Sequence, residues 1–459
     1  MFILKRRIRP FENNALHRRN RNDQVRYSTA EIRAGMTCSI QAGILWSFYG
    51  ACAGLPIMSA LERQLDFSNF QIGIVNSLAQ VFLPMQIVGL VIQERFFHRV
   101  KFWGFCSTCQ FLAYGLLGVL VLFFNQIPKP YGVMAFITIM AMSVIASSMI
   151  GPIGLTWHAD FVPRRASTGF WSKRNANYLL YSTISTVLAG VLLQSLGTGC
   201  NLSYSIMLFL GMIFGLCSSA MQVDIPDTNP FPKTSKDNPA EQLKAVFKSR
   251  ELRPLIIFFG MQAVAAGFTG AFLYIYLQKE INMQITSQQV LLAISTLTGF
   301  FSAGIIRRMG LKYSRQFILG LCTFILAVLA LWWGIMTPGN PLWQIGGEWL
   351  PHGFLGALPI FMITGFTTIG LAASRESLIT TQRDKSIQGM GIAIIYAGTG
   401  VCGAITGIIS GYFYGVLENW AWLAETPFKP FNIMAFIAAA GYLATLPVMF
   451  RLKAPAKAE

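Results

Sequence analysis

The chain holds 459 residues, 54% of them hydrophobic and only 12% charged, with a mean hydropathy of +0.51. Water-soluble domains carry about a quarter charged residues, so this composition excludes an ordinary soluble fold and points to a membrane. The formal charge of +17 raises nucleic acid as a partner, a question that the placement of the basic residues decides.

Residues 1–34 form a polar, arginine-rich leader without the pattern of a cleavable signal peptide. A cytoplasmic tail resting on anionic headgroups is the plain expectation, and a nucleic-acid arm is the competing one. Apolar segments follow at about 36–61, 70–93, 102–125, 131–154, 176–197 and 202–223. Residues 224–253 interrupt them with four prolines and mixed charge, which reads as a linker with a short surface helix over 240–248. Six more apolar segments lie at about 254–278, 286–306, 315–336, 352–373, 389–416 and 430–450, before a short tail at 451–459. Twenty residues at 1.5 Å each cross a hydrocarbon core of about 30 Å, whereas barrel strands would be about ten residues long with alternating polarity. The expected fold is an all-α membrane protein of 12 transmembrane helices in two six-helix bundles, at 35–223 and 254–450.

The charge falls on one side. With the N-terminus placed in the cytoplasm, only Arg63, Lys129, Lys279 and Lys429 of the 36 lysines and arginines fall outside. Positive-inside insertion produces this asymmetry, so the net charge reads as topology and not as nucleic-acid binding. Both termini are expected in the cytoplasm of a multi-pass protein of the bacterial inner (plasma) membrane.

Two loop types recur. The basic hairpin at 93–103 separates two uncharged apolar runs, and a second one spans 307–315, where Arg307 answers Arg95. Farther along, Asp160-Phe-Val-Pro-Arg-Arg165 with Gly169 has a counterpart in Glu376, Arg383-Asp-Lys385 and Gly389. The step from Gly169 to Gly389 nearly equals the step from Arg95 to Arg307. Recurrence at nearly one offset reads as duplicated halves, a common plan of secondary transporters.

The run Asp66-Phe-Ser-Asn-Phe-Gln-Ile-Gly-Ile-Val-Asn-Ser77, then Leu83-Pro-Met-Gln86 and Gln93-Glu-Arg-Phe-Phe-His-Arg-Val-Lys101, resembles a bacterial branch of the major facilitator superfamily. Trp157-His-Ala-Asp160 and Gly169-Phe-Trp-Ser-Lys-Arg-Asn175 resemble the loop between its fourth and fifth helices. Phe97 stands near the place of the usual loop glycine, and segment 5 lacks the Gly-Pro antiporter signature. The resemblance implies two bundles that rock about a central site. It also implies a cytoplasmic gate, for which Glu94, Arg95, Arg99, Asp160, Arg164, Arg165, Arg174 and Arg308 are the candidates, in competition with plain topology charges. Small-residue faces such as Gly403, Gly407 and Gly411 would let such helices slide, though plain packing accounts for them equally.

Polar groups at mid-membrane are costly and mark function. The candidates for a substrate path are Gln41, Trp46, Tyr49, Gln80, Gln86, Gln194, Gln262, Tyr274 and Tyr276, a set suited to a neutral or zwitterionic solute. Every acid is placed in or beside a loop, so His158, Asp160 and Glu376 are the candidate proton carriers and the coupling ion stays open. Eight cysteines fall mostly in apolar runs, and the Cys106/Cys109 pair reads as helix packing without a metal. No triad, ligand cluster or phosphate-cradling loop is present, so an enzyme, an ATP-driven pump and a cofactor are not expected. The reading is a solute permease, monomeric and bathed in lipid, with a non-transport assembly factor or sensor as the alternative.

Overall fold

A computed structural model describes residues 27–96, 98–162, 164–227, 239–249, 252–341, 353–380 and 388–449. The first helix, α1 (Thr29–Cys52), begins where the Ser28 hydroxyl accepts the Glu31 N–H at 3.2 Å and the Glu31 carboxylate accepts the Ser28 N–H at 2.7 Å. That reciprocal cap satisfies two donors that a helix start leaves open. The chain breaks at Gly54, where a Cβ would stand 2.9 Å from the Gly50 carbonyl oxygen, and resumes as α2 (Leu55–Gln64) with Pro56 in its first turn. This helix runs past the expected end of segment 1, and so takes in Glu62.

Next, Asp66 adopts a left-handed φ of +53° and Ser68 caps α3 (Asn69–Val81) through Gln71. The Asp66–Ser77 run that carries the family resemblance is therefore in part a turn and a helix start. After α4 (Met85–Phe96) come α5 (Arg99–Leu122), α6 (Lys129–Phe161), α7 (Arg164–Leu196) and α8 (Asn201–Val223). The linker contributes α9 (Pro239–Lys248), whose Val246 is buried against Leu252 and Leu255. The second half comprises α10 (Leu252–Gly270), α11 (Leu273–Lys279), α12 (Ile285–Lys312), α13 (Arg315–Ile335), α14 (Phe354–Thr380), α15 (Gln388–Glu418), α16 (Ala421–Ala424) and α17 (Pro430–Met449). Among the described residues there are 12 spans of 20 to 36 residues, apolar enough to cross a bilayer, and no strand.

Duplication is visible in the backbone. Gly270 ends α10 at a break that answers the one at Gly54, and Asn282 repeats the left-handed φ of Asp66. The step from Gly54 to Gly270 is the same as the step from Asp66 to Asn282. The first half packs α1 on α7 and α8, and α5 on α6 and α8. The second packs α10 on α15 and α17, and α13 on α14 and α17. Phe105, Met134 and Phe301 point outward, each about two-thirds exposed, which suits a helix surface solvated by lipid tails. The halves meet where α3 crosses α15, α7 crosses α12 and α2 meets α11. Below, the end where α4 meets α5, α6 meets α7 and α12 meets α13 is called the basic end, and the opposite one the far end.

Candidate functional site

Glycines line a close approach between the halves. A Cβ on Gly73 of α3 would stand 3.0 Å from both the Gly407 carbonyl oxygen and the Gly411 Cα of α15. A Cβ on Gly403 would overlap the Gln80 side-chain oxygen at 1.7 Å, and one on Gly407 would meet the Ser77 hydroxyl at 2.1 Å. A cavity of about 140 Å³ remains beside this seam, lined by Asn76, Ser77 and Gln80 on one side and Gly267, Gly270 and Gly403 on the other. Leu55 and Ala271 also line it, so both helix breaks open onto the same space. Interrupted helices at matching places in two repeats leave backbone groups free of their own ladder, and transporters use such groups for ligands.

Toward the far end the halves are tied together. The Glu418 carboxylate accepts from Asn69 at 2.6 Å, and its other oxygen accepts from Lys279. Gln194 donates to Gln284 at 3.2 Å, Thr286 donates to Gly190 at 3.1 Å, and Gln278 donates to the Pro56 carbonyl at 3.4 Å. Deeper along the α7–α12 crossing, Thr183 donates to the Ala293 carbonyl at 3.5 Å. Nearer the basic end, a cavity of about 390 Å³ opens in the first half, lined by Trp46, Ser147, His158, Arg174, Tyr178 and Gln222.

The sequence candidates divide among these places. Gln80 sits at the seam, Gln194 in the far-end ties, and Trp46, His158 and Arg174 in the cavity nearer the basic end. Gln86 packs near Gly151 of α6, and Gln41 is exposed on α1. The others face their own bundles. Tyr49 accepts from Gln110 at 3.3 Å, and Gln262 donates to Thr323 at 3.4 Å. Tyr276 donates to the Met336 carbonyl at 2.6 Å and stacks on Phe431, while Tyr274 is buried in the core nearby. His158 holds its Nδ1 2.6 Å from the Gly154 carbonyl oxygen, and Arg308 is exposed. The side chains of Glu94, Arg95, Asp160, Arg164, Arg165 and Glu376 lie outside the described residues.

The sequence matches the model of the Major Facilitator Superfamily over residues 40–374. The chain belongs to the Major Facilitator Superfamily. No curated protein matches it in sequence. Among solved structures it is similar to a mutant form of the nucleoside transporter NupG, with 14% identity and a TM-score of 0.68 over 92% of this chain and 100% of that one. It is equally similar to a D-xylose-proton symporter, with 14% identity and a TM-score of 0.68 over 93% and 100%. An auto-inhibited POT family peptide transporter follows at 12% identity and 0.65 over 92% and 96%. At such identities the likeness shows the fold.

On this Major Facilitator Superfamily scaffold, two acids carry structure that hydropathy does not reveal. The segment boundaries place Glu62 in a loop, yet it is fully buried in α2, and its Oε2 accepts from Asn76 at 3.3 Å. Hydropathy windows end where charge appears, so a buried acid near a helix end reads as loop. Asp227, in the linker by sequence, is buried and accepts from Arg99, while the neighbouring Pro226 carbonyl accepts from Trp157 at 3.1 Å. Tyr27 donates to the Asp227 carbonyl at 3.1 Å, so the start of the linker forms a cap under the first bundle. Arg99 is thus held within its own half. An acid just past a segment end, facing an arginine at a basic hairpin, is the sequence signal that points there.

Proposed function

We propose that this chain is a secondary transporter that moves a small neutral or zwitterionic solute by alternating access, held here with its far end closed and its basic end open. The observation that carries this reading is where the described residues tie the halves together: among them, glycine contacts and amide hydrogen bonds lie toward the far end, and a polar and aromatic cavity lies toward the basic end. Trp46 and Tyr178 offer ring faces, Gln222 and Asn175 offer amides, and Arg174 offers one positive charge for a carboxylate. The basic end is assigned to the cytoplasm of a bacterial inner membrane by the positive-inside asymmetry, with both termini there. In this reading residues 35–223 and 254–450 are the two rocking bundles, residues 224–253 their linker, and the chain acts as a monomer.

The test is a thermal-stability screen of the purified full chain against a solute library headed by nucleosides, pentoses and short peptides, the solutes named in the structural relatives. A solute that binds the native state raises the unfolding midpoint, by about 2.7 kcal/mol in stability at a hundredfold excess over Kd. Its uptake into liposomes must then saturate. A full library without a stabilising solute, or a stabilising solute that never crosses the bilayer, sinks the reading.

A further inference from the structure

Glu62 stands apart from every other acid described. It is 0% exposed, its Oε1 has no hydrogen-bond partner, and its Oε2 takes a single bond from a neutral amide, Nδ2 of Asn76. No lysine, arginine or histidine among the described residues pairs with it. An ionised carboxylate loses far more on leaving water than its neutral acid does, and one amide bond does not offset the loss. Asn76 also lines the cavity between the two helix breaks, so this carboxyl is one hydrogen bond from the space where the halves meet.

We propose that Glu62 is a proton-binding site of this protein, occupied when the far end is closed and emptied to water when it opens. The proton sits on the carboxyl group in the closed form. Opening parts α2 from α11 and α12, water reaches the carboxylate, and the proton leaves as hydronium with no other bond made or broken. Elements packed on α2 offer little else that titrates near neutrality. In its far-end part α12 presents the amides Gln288 and Gln289, and α3 carries no charge. From α8 comes Tyr204, and from α11 come Tyr274, Tyr276 and Lys279, types that keep one state between pH 5 and pH 9 when unperturbed. On its own helix stands Arg63, in the turn beyond it Asp66 is bonded to Lys129 at 2.6 Å, and Lys279 is paired with Glu418. None of the four histidines of the sequence falls within α2, α3, α8, α11 or α12.

This inference rests on the transporter reading, but its test uses protons alone. In a cysteine-free full chain in lipid nanodiscs, spin labels at Tyr131 and Trp422 report the far-end distance between pH 5 and pH 9. Infrared difference spectra follow protonated carboxyl. We expect the open population to rise with pH, by at most about tenfold per unit, and a carboxylic-acid band at neutral pH. Glu62→Gln must flatten the distance response and remove the band, and Glu62→Asp must keep both. A pH response that survives Glu62→Gln, or wild-type distances flat with pH, overturns the proposal. Should Glu62→Gln not fold, Glu62→Asp carries the test: its acid band must move in frequency, and an unmoved band overturns the assignment. A failed solute screen beside a titrating Glu62 would sink the transporter reading alone; saturable uptake without that titration would sink this one alone.

Discussion

The guanidinium of Arg99 closes on the carboxylate of Asp227, with both side chains about 95% buried beneath the first bundle. The pair joins the start of α5 to the residues just past α8, and Tyr27 and Trp157 bind the backbone on either side of it. Removing one member of such a pair strands the other charge out of water. We expect Arg99→Gln or Asp227→Asn to cost about 3–5 kcal/mol. The double change Arg99→Met/Asp227→Leu should cost clearly less. Thermal unfolding in detergent compares the three, and single variants that melt with wild type would show that the cap adds nothing.

The seam between α3 and α15 leaves no room at Gly403, where a Cβ would overlap the Gln80 oxygen. Overpacking of this kind costs about 1–3 kcal/mol. Because that oxygen ends a flexible side chain that can turn aside, we expect Gly403→Ala to lower stability by no more than the low end of that range and to widen the far end. Adding Gln80→Ser should restore both, because it removes the colliding group. Spin-label distances between the halves read the effect; failure of the second change to rescue would place the strain elsewhere.

Glu418 bridges Asn69 of the first half and Lys279 of its own half, with about a third of its side chain in solvent. Partly exposed pairs are worth about 0–1 kcal/mol. We expect Glu418→Gln to leave the melting temperature nearly unchanged yet to raise the far-end-open population, since it weakens a bond between the halves at the far end. An unchanged distance distribution would remove Glu418 from the closure.

Gln289 is buried at the α7–α12 crossing beside Gly190, and neither atom of its amide has a partner. A buried polar group without its hydrogen bonds carries a penalty of about 1–3 kcal/mol. Gln289→Met, close in shape, should therefore stabilise the present conformation by about that much and slow its departure. Unfolding midpoints and exchange rates of spin-label distances check this, and a destabilised variant would mean that the amide is satisfied.

Trp46 packs edge-on against Tyr49 and Phe111 while lining the cavity nearer the basic end. Trp46→Phe keeps a ring on that cluster. We expect a folded protein whose stabilisation by any solute found in the screen falls at least tenfold in apparent affinity. Unaltered binding would move the solute site away from this wall.

Much of the architecture follows from local sums of transfer free energy along the chain. Twelve apolar runs of spanning length and basic residues on alternate loops need no knowledge of what touches what. The recurrence of a hairpin near 307–315 shows the duplication, and the breaks at Gly54 and Gly270 give it a backbone form. Part of the site is legible too: Gln80 and the glycines of α15 stand out separately in the sequence, and the fold brings them face to face. What pairs with what is decided only by tertiary structure. Arg99 and Asp227 stand 128 residues apart, yet the fold joins them, because burial removes water as the competing partner and favours the acid that packing delivers. Glu62 shows the limit most plainly: its charge ends a hydropathy window, while its position under α8, α11 and α12 places it out of reach of water.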